Sequence, residues 1–329
     1  MDYFKSFSSK LNAPQGFDFK EMAMDLFNFQ SSENKIYQSF LQARNIDCNK
    51  VNNIEDIPFL PIQFFKSHPV VCGQPADFNG FFSSSGTTGV ITSRHYIWSK
   101  DFYLKNAQGI FEQQYGPLSN FHILALLPSY LEREGSSLVA MAQHFIHQSG
   151  SEHSGFYLYN HEELIRKLKL LENSKKQILL IGVTFALLDL AEKDLPLISN
   201  LIIMETGGMK GKRKEMIREE VHEILCQRFN QDIIHSEYGM TELMSQAYSK
   251  GLGKYILPST MQIFLRDTHD PMTISKRTQG GINVIDLANF HSCAFIETQD
   301  LGRYDSKGNL EVLGRFDNSE IRGCNLMIN

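Results

Sequence analysis

Residues 178–208 read ILLIGVTFALLDLAEKDLPLISNLIIMETGG, and this stretch decides the fold class. Ile178 to Val183 is a continuous apolar run of strand length, as expected of a strand buried on both faces. Phe185 to Glu192 reads as a helix, Leu201 to Met204 as a second buried strand, and Gly207-Gly208 as the loop that follows. Strand, helix and strand at this spacing make a βαβ unit, which implies a parallel sheet.

The same alternation extends outward. Asp101 to Tyr115 reads as a helix, Phe121 to Leu127 as a strand and Gly135 to Phe145 as a helix. Glu162 to Leu171 is helical, with Leu164, Ile165, Leu168 and Leu171 on one stripe. Downstream, a charged helix is expected over Lys212 to Phe229 and a strand over Asp232 to Ser236. The first sixty residues are mostly helical: Phe19 to Phe29 carries Met22, Met24, Leu26 and Phe27, and Asn34 to Ala43 carries Ile36, Tyr37, Phe40 and Leu41. Pro58 and Pro61 forbid a continuous helix through Ile57 to Ile62. Phe78 to Phe82 is a short strand candidate. In the last eighty residues, short β-like runs (Gln262 to Leu265, Gly281 to Ile285, Ala294 to Glu297, Leu310 to Val312) alternate with turn clusters such as Asp305-Ser306-Lys307-Gly308. No repeat, low-complexity segment or linker interrupts the chain, so one continuous α/β domain with a β-rich C-terminal lobe is expected.

Composition narrows the function classes. At 329 residues, 42% hydrophobic and 21% charged, the chain is globular rather than disordered or fibrous. Lysine plus arginine is 32 against 37 acidic residues, a net charge of −5 that argues against a protein working by wrapping nucleic acid. The apolar runs are too short for a transmembrane segment, and the N-terminus lacks a secretory pattern. Five scattered cysteines without a CxxC pair point to reduced thiols in a cytoplasmic protein. His144 with His147, and His291 with Cys293, have local ligand spacing but no second pair nearby. They read as core or surface residues rather than zinc ligands.

Four short strings carry chemistry. Ser83-Ser84-Ser85-Gly86-Thr87-Thr88-Gly89 follows Phe81-Phe82; small residues let backbone N–H groups approach an anion, and hydroxyls add donors. It lacks the lysine of a P-loop, and the plain alternative is a flexible polar turn. Tyr238-Gly239-Met240-Thr241-Glu242 follows a strand, where open α/β sheets bind ligands. Glu242 with a neighbouring hydroxyl suits Mg²⁺ on nucleotide phosphates, but a helix start capped by Thr241 is an equal alternative. The remaining two are Thr298-Gln299-Asp300-Leu301-Gly302-Arg303-Tyr304 and Gly314-Arg315-Phe316-Asp317. Alone, Asp300 would be a turn residue and Arg315 a surface cation.

In this order the four strings resemble the adenylate-forming superfamily, and the spacing fits: 152 residues from Gly86 to Tyr238, 58 from Glu242 to Asp300 and 15 from Asp300 to Arg315. The resemblance implies that Ser85, Gly86, Thr87, Thr88 and Gly89 cradle ATP phosphates. Gly207, Gly208, Tyr238, Gly239, Met240 and Thr241 would bind the nucleotide, Glu242 would hold Mg²⁺, Asp300 would hold the ribose, and Arg315 would touch phosphate or ribose at a hinge-like string. Two departures stand out. Val90-Ile91-Thr92 replaces the family's x-P-K, leaving Arg94 as the nearby cation, and only 12 residues follow Asp317, too few for the family's lysine-bearing mobile domain.

Ile57 to Ile62 with Phe64-Phe65-Lys66, Leu127 to Arg133 with Gly135 to Leu138, and Arg322-Gly323-Cys324 resemble the long-chain fatty-acyl-protein synthetases, the ligase of the bacterial bioluminescence fatty-acid reductase complex. That likeness implies a synthetase domain over residues 1–313, with a helical segment over about 1–60, and a hinge-like tail over 314–329 carrying an acyl-accepting Cys324. It implies ATP-dependent formation of a long-chain acyl-AMP and transfer to a cysteine. The partners would be a fatty acid and an acyl reductase or acyl-donor thioesterase subunit. The alternatives are a fatty or aryl acyl-CoA ligase, a thioester-dependent acyltransferase on the same scaffold, or a non-catalytic docking subunit.

Overall fold

The helix Phe19–Glu33 begins where Asp18, in extended backbone, accepts the Glu21 N–H at 2.8 Å. A computed structural model describes residues 2–84, 92–127, 135–208, 213, 216–268, 274 and 278–315. The described residues form two compact units, neither continuous in sequence: Met1–Lys100 with Thr241–Ser245 and Leu257–Asn329, and Asp101–Met240 with Gln246–Ile256. Among the described residues no helix is long and apolar enough to cross a membrane.

The first unit opens with three helices, α1 (Asp2–Leu11), α2 (Phe19–Glu33) and α3 (Lys35–Ala43). The apolar stripe of α2 buries Met22, Leu26 and Phe27. Asn34, expected inside a helix, is the cap between α2 and α3, accepting the N–H groups of Ile36 and Tyr37. The proline segment supplies β1 (Leu60–Pro61), the short α4 (Phe64–Ser67) follows, and β2 (Phe81–Ser83) pairs antiparallel with β3 (Arg94–Tyr96).

The second unit holds the alternation expected from residues 178–208. In chain order it runs α5 (Lys100–Tyr115), β4 (Phe121–Leu126), α6 (Ser137–Gln148), β5 (Gly155–Tyr157), α7 (His161–Leu171), β6 (Gln177–Gly182), α8 (Thr184–Ala191), β7 (Leu201–Glu205), α9 (Arg218–Phe229), β8 (His235–Tyr238), β9 (Ala247–Ser249) and β10 (Lys254–Ile256). The sheet order is β10-β9-β8-β7-β6-β4-β5, parallel from β5 to β8 and antiparallel at β9 and β10. Every residue of β4 is buried, as a strand covered on both faces requires.

Several expected boundaries move, two of them next to the candidate site. The helix expected from Lys212 starts at Arg218, with Glu219 and Glu220 at its positive end, and stops at left-handed Asn230. The strand expected over Asp232 to Ser236 is His235–Tyr238. The Ile233-Ile234 pair suggested a strand too early; Ile233 is exposed, and pairing with β7 begins at Met204 opposite His235.

The chain returns to the first unit for β11 (Met261–Arg266), β12 (Gln279–Asp286), β13 (Phe295–Tyr304) and β14 (Leu310–Arg315), an antiparallel run with β1 added parallel to β13. This is the β-rich lobe expected of the last eighty residues. Arg266 is buried in it, donating to the carbonyls of Ile282 (2.8 Å) and Thr298 (2.7 Å). A Cβ on Gly281 would fall 2.5 Å from its guanidinium carbon, so glycine is what lets that side chain lie across β12.

Candidate functional site

Glu242 is the centre of a fixed turn in the first unit. No helix starts at Thr241; residues 241 and 242 form a turn and 243–245 are irregular, so the capping alternative gives way. The backbone is held from several sides. The Thr241 carbonyl lies 2.9 Å from His95 Nδ1, and the Glu242 carbonyl accepts from Asn289 Nδ2 at 2.8 Å. Asp286, at the end of β12 and fully buried, accepts the N–H groups of Met244 (2.8 Å) and Ser245 (2.9 Å) and the Ser245 hydroxyl (2.7 Å). Burial raises the carboxyl pKa of Asp286, and these donors oppose the rise.

The Glu242 side chain is 6% exposed. Burial raises its pKa, while a hydrogen bond from Ser93 and the charges of Arg315 and Lys66 favour the carboxylate. Asp300 and Arg315 are direct cross-strand partners on β13 and β14, with Arg315 Nε 4.0 Å from Asp300 Oδ1. Asp300 is largely covered and Arg315 is 72% exposed. An oxygen donor of this kind suits Mg²⁺, which takes one or two carboxylates and completes its shell with water and phosphate.

In the second unit, Tyr238 ends β8, and Gly207 and Gly239 follow the C-terminal ends of the neighbouring parallel strands β7 and β8, the end at which such sheets bind ligands. Glu205 Oε2 accepts the Gly207 N–H at 3.0 Å and the Thr184 hydroxyl at 2.8 Å. Its other oxygen lies 3.6 Å from both Arg218 Nε and His222 Nε2. Burial alone would raise its pKa, but His222, Arg218 and Thr184 bring it down to about 2. Gly207 and Gly208 are exposed with φ of 76° and 97°, the left-handed region. Tyr238 is buried edge-on against Tyr255, with ring centroids 5.8 Å apart. Glu237 is buried beside it, and burial together with the Glu205 charge raises its pKa to about 8.

The first unit therefore collects Glu242, Thr241, Asp300 and Arg315, and the second collects Gly207, Gly208, Tyr238, Gly239 and Met240. Ser85, Gly86, Thr87, Thr88, Gly89 and Cys324 lie outside the described residues. His291 and Cys293 are fully buried, each bonded to a backbone carbonyl, of Tyr96 and Phe295 respectively. Sequence reading missed Ser93, His95, Asn289, Asp286 and Glu237. One signal was legible: Asp286 closes the apolar Val284-Ile285 end of β12, as Glu205 closes the apolar β7. The partners of His95 and Ser93 are about 150 residues away, beyond any local pattern.

The acyl-protein synthetase family, LuxE, matches residues 14–97. The chain is 23% identical over 325 residues to a long-chain-fatty-acid–luciferin-component ligase of Aliivibrio fischeri, covering 89% of this chain and 82% of that one. It is 30% identical over 71 residues to the ligase of that name from Photorhabdus luminescens, covering 22% of this chain and 60% of that one. Its structure is similar to 2-hydroxyisobutyryl-CoA ligase in an open conformation with 2-HIB-AMP and CoA (TM-score 0.68, 11% identity, 91% of this chain and 69% of that one). It is also similar to ATP-bound MatB from Rhodopseudomonas palustris (TM-score 0.53, 15% identity, 74% of this chain and 49% of that one). The fold is that of the adenylate-forming enzymes, and the sequence likeness to acyl-protein synthetases is borne out.

Proposed function

We propose that this chain, with its adenylate-forming fold and acyl-protein synthetase likeness, is an ATP-dependent ligase that activates a long-chain fatty acid and transfers the acyl group to a protein cysteine. A carboxylate oxygen of the fatty acid attacks the α-phosphorus of ATP. The new bond is carboxylate oxygen to phosphorus; the bond broken joins that phosphorus to the β-phosphate, and pyrophosphate leaves. The Cys324 thiolate then attacks the acyl carbonyl of the mixed anhydride, and AMP leaves with the anhydride oxygen.

The observation that carries this reading is Glu242. Its turn is fixed by Asp286, Asn289 and His95, and the Ser93 hydroxyl and the charges of Arg315 and Lys66 favour its carboxylate against the rise that burial causes. Charge placed in advance is what phosphoryl and nucleotidyl transfer demand. Mg²⁺ held by Glu242 would neutralise developing charge on the phosphates. In this reading Ser85 to Gly89 cradle the phosphates, and Asp300 and Arg315 take ribose and phosphate. Gly207, Gly208, Tyr238 and Gly239, with Met240 and Thr241, bind the rest of the nucleotide. The acyl group goes on to a partner such as an acyl reductase.

Acid-dependent ATP–pyrophosphate exchange tests the first step. Incubation with ATP, Mg²⁺ and a labelled long-chain acid tests the second: a hydroxylamine-labile protein adduct is expected. Cys324→Ser should abolish that adduct and keep the exchange. Absence of exchange with any acid overturns the reading; exchange with efficient acyl-CoA formation and no adduct moves the acceptor to coenzyme A.

A further inference from the structure

We propose that His95, on β3, is a positioning residue for Glu242: it ties the backbone at Thr241, one residue before Glu242, to the β2–β3 hairpin. The inference rests on the acyl-activation reading and adds a residue that the four sequence strings do not contain.

The geometry is specific. The hairpin closes on Ser84 and Ser93: the Ser84 N–H donates to the Ser93 carbonyl at 3.1 Å, and the Ser93 N–H donates to Ser84 Oγ at 2.9 Å. One step on, Phe82 is opposite His95. His95, fully buried, bonds the carbonyl of Thr241, the residue before Glu242.

The tautomer of His95 follows from its partners. A carbonyl oxygen only accepts, so Nδ1 carries the proton donated to Thr241. Nε2 then accepts from the Ser292 hydroxyl at 2.9 Å. The ring is stacked on His291 (centroids 5.5 Å apart, planes 8° apart), and Phe65 stands edge-on at 5.5 Å. His291 in turn donates from Nε2 to the Tyr96 carbonyl at 3.1 Å, the next residue of β3. Burial holds His95 down to about 4, so the ring is neutral and keeps this donor–acceptor polarity across the working pH range.

The test separates donor from filler. His95→Asn keeps an amide N–H near the position of Nδ1, whereas His95→Gln and His95→Leu fill the space without it. Each variant is compared with wild type below its melting temperature for acid-dependent ATP–pyrophosphate exchange, Mg²⁺ requirement, KM for the acid, and the thermal shift given by Mg·ATP. Positioning predicts exchange kcat within about threefold for His95→Asn. It predicts a fall of about tenfold or more for His95→Gln and His95→Leu, with a higher Mg²⁺ requirement, a smaller Mg·ATP shift and an unchanged KM for the acid. Equal kcat and Mg²⁺ dependence across folded variants overturns the positioning role and leaves acyl activation standing. A wild type that neither exchanges nor is stabilised by Mg·ATP overturns both.

Discussion

The carboxyl of Glu237 occupies the place where a Cβ on Gly239 would stand. A Cβ there would also come within 3.3 Å of Gln246 Cγ, so the Tyr238-Gly239 backbone fits only around a missing side chain. Gly239→Ala must push Glu237 aside in a buried site, at a cost of about 1–3 kcal/mol. Urea unfolding measures it, and Glu237→Ala combined with Gly239→Ala should recover part of the loss. Fully additive costs would show that the two residues do not compete for that space.

Glu237 also sets a pH dependence. Its folded pKa is raised to about 8 from an ordinary 4.5 by burial and by Glu205. Between those values the folded chain holds a proton that the unfolded chain has released, so stability falls as pH rises through the window. Glu237→Gln should flatten this slope, with its largest gain in Tm at about pH 8 and little at about pH 5. Parallel Tm profiles for the two proteins would contradict it.

Glu205 has the opposite sign. Its folded pKa is depressed to about 2, so its contribution is complete above 4.5 and is lost as pH falls toward 2. Glu205→Gln leaves Arg218 and His222 without their carboxylate and should cost about 3 kcal/mol at neutral pH. The variant should lose less additional stability than wild type between about pH 5 and pH 3. Acid titration followed by circular dichroism checks both statements, and amide exchange at Gly207 should rise.

Asp286 takes bonds from two backbone N–H groups of the Glu242 turn, from the Ser245 hydroxyl and from the Ala288 N–H. Asp286→Ala strands those buried donors and should destabilise by about 3 kcal/mol or more. Ser245→Ala removes one of the four and should cost about 1 kcal/mol. Denaturant midpoints for the pair give the comparison; similar costs would mean that the turn is held elsewhere.

Glu242→Gln conserves shape and removes charge. If Glu242 holds Mg²⁺, the variant should fold with a Tm near wild type and lose about tenfold to a hundredfold in acid-dependent pyrophosphate exchange. Unchanged exchange removes the metal role from Glu242.

The sequence by itself determined the parallel layer. Ile178–Val183 and Leu201–Met204 are apolar throughout because both faces are covered, and that composition is local, so it survives in one dimension. The prolines at 58 and 61 and the turn clusters after residue 257 were equally legible, since backbone restriction acts within a few residues. Tertiary structure decided the rest. The start of β8 was set by pairing with β7 rather than by the apolar Ile233-Ile234. The Glu242 turn looked like a helix start, and became a turn because Asp286, Asn289 and His95 claim its polar groups from distant strands and loops. Glu205 and Glu237 are both buried glutamates at strand ends, yet one is held ionised and the other protonated at neutral pH. The cations and hydrogen-bond donors that folding brings beside Glu205, and not beside Glu237, separate the two.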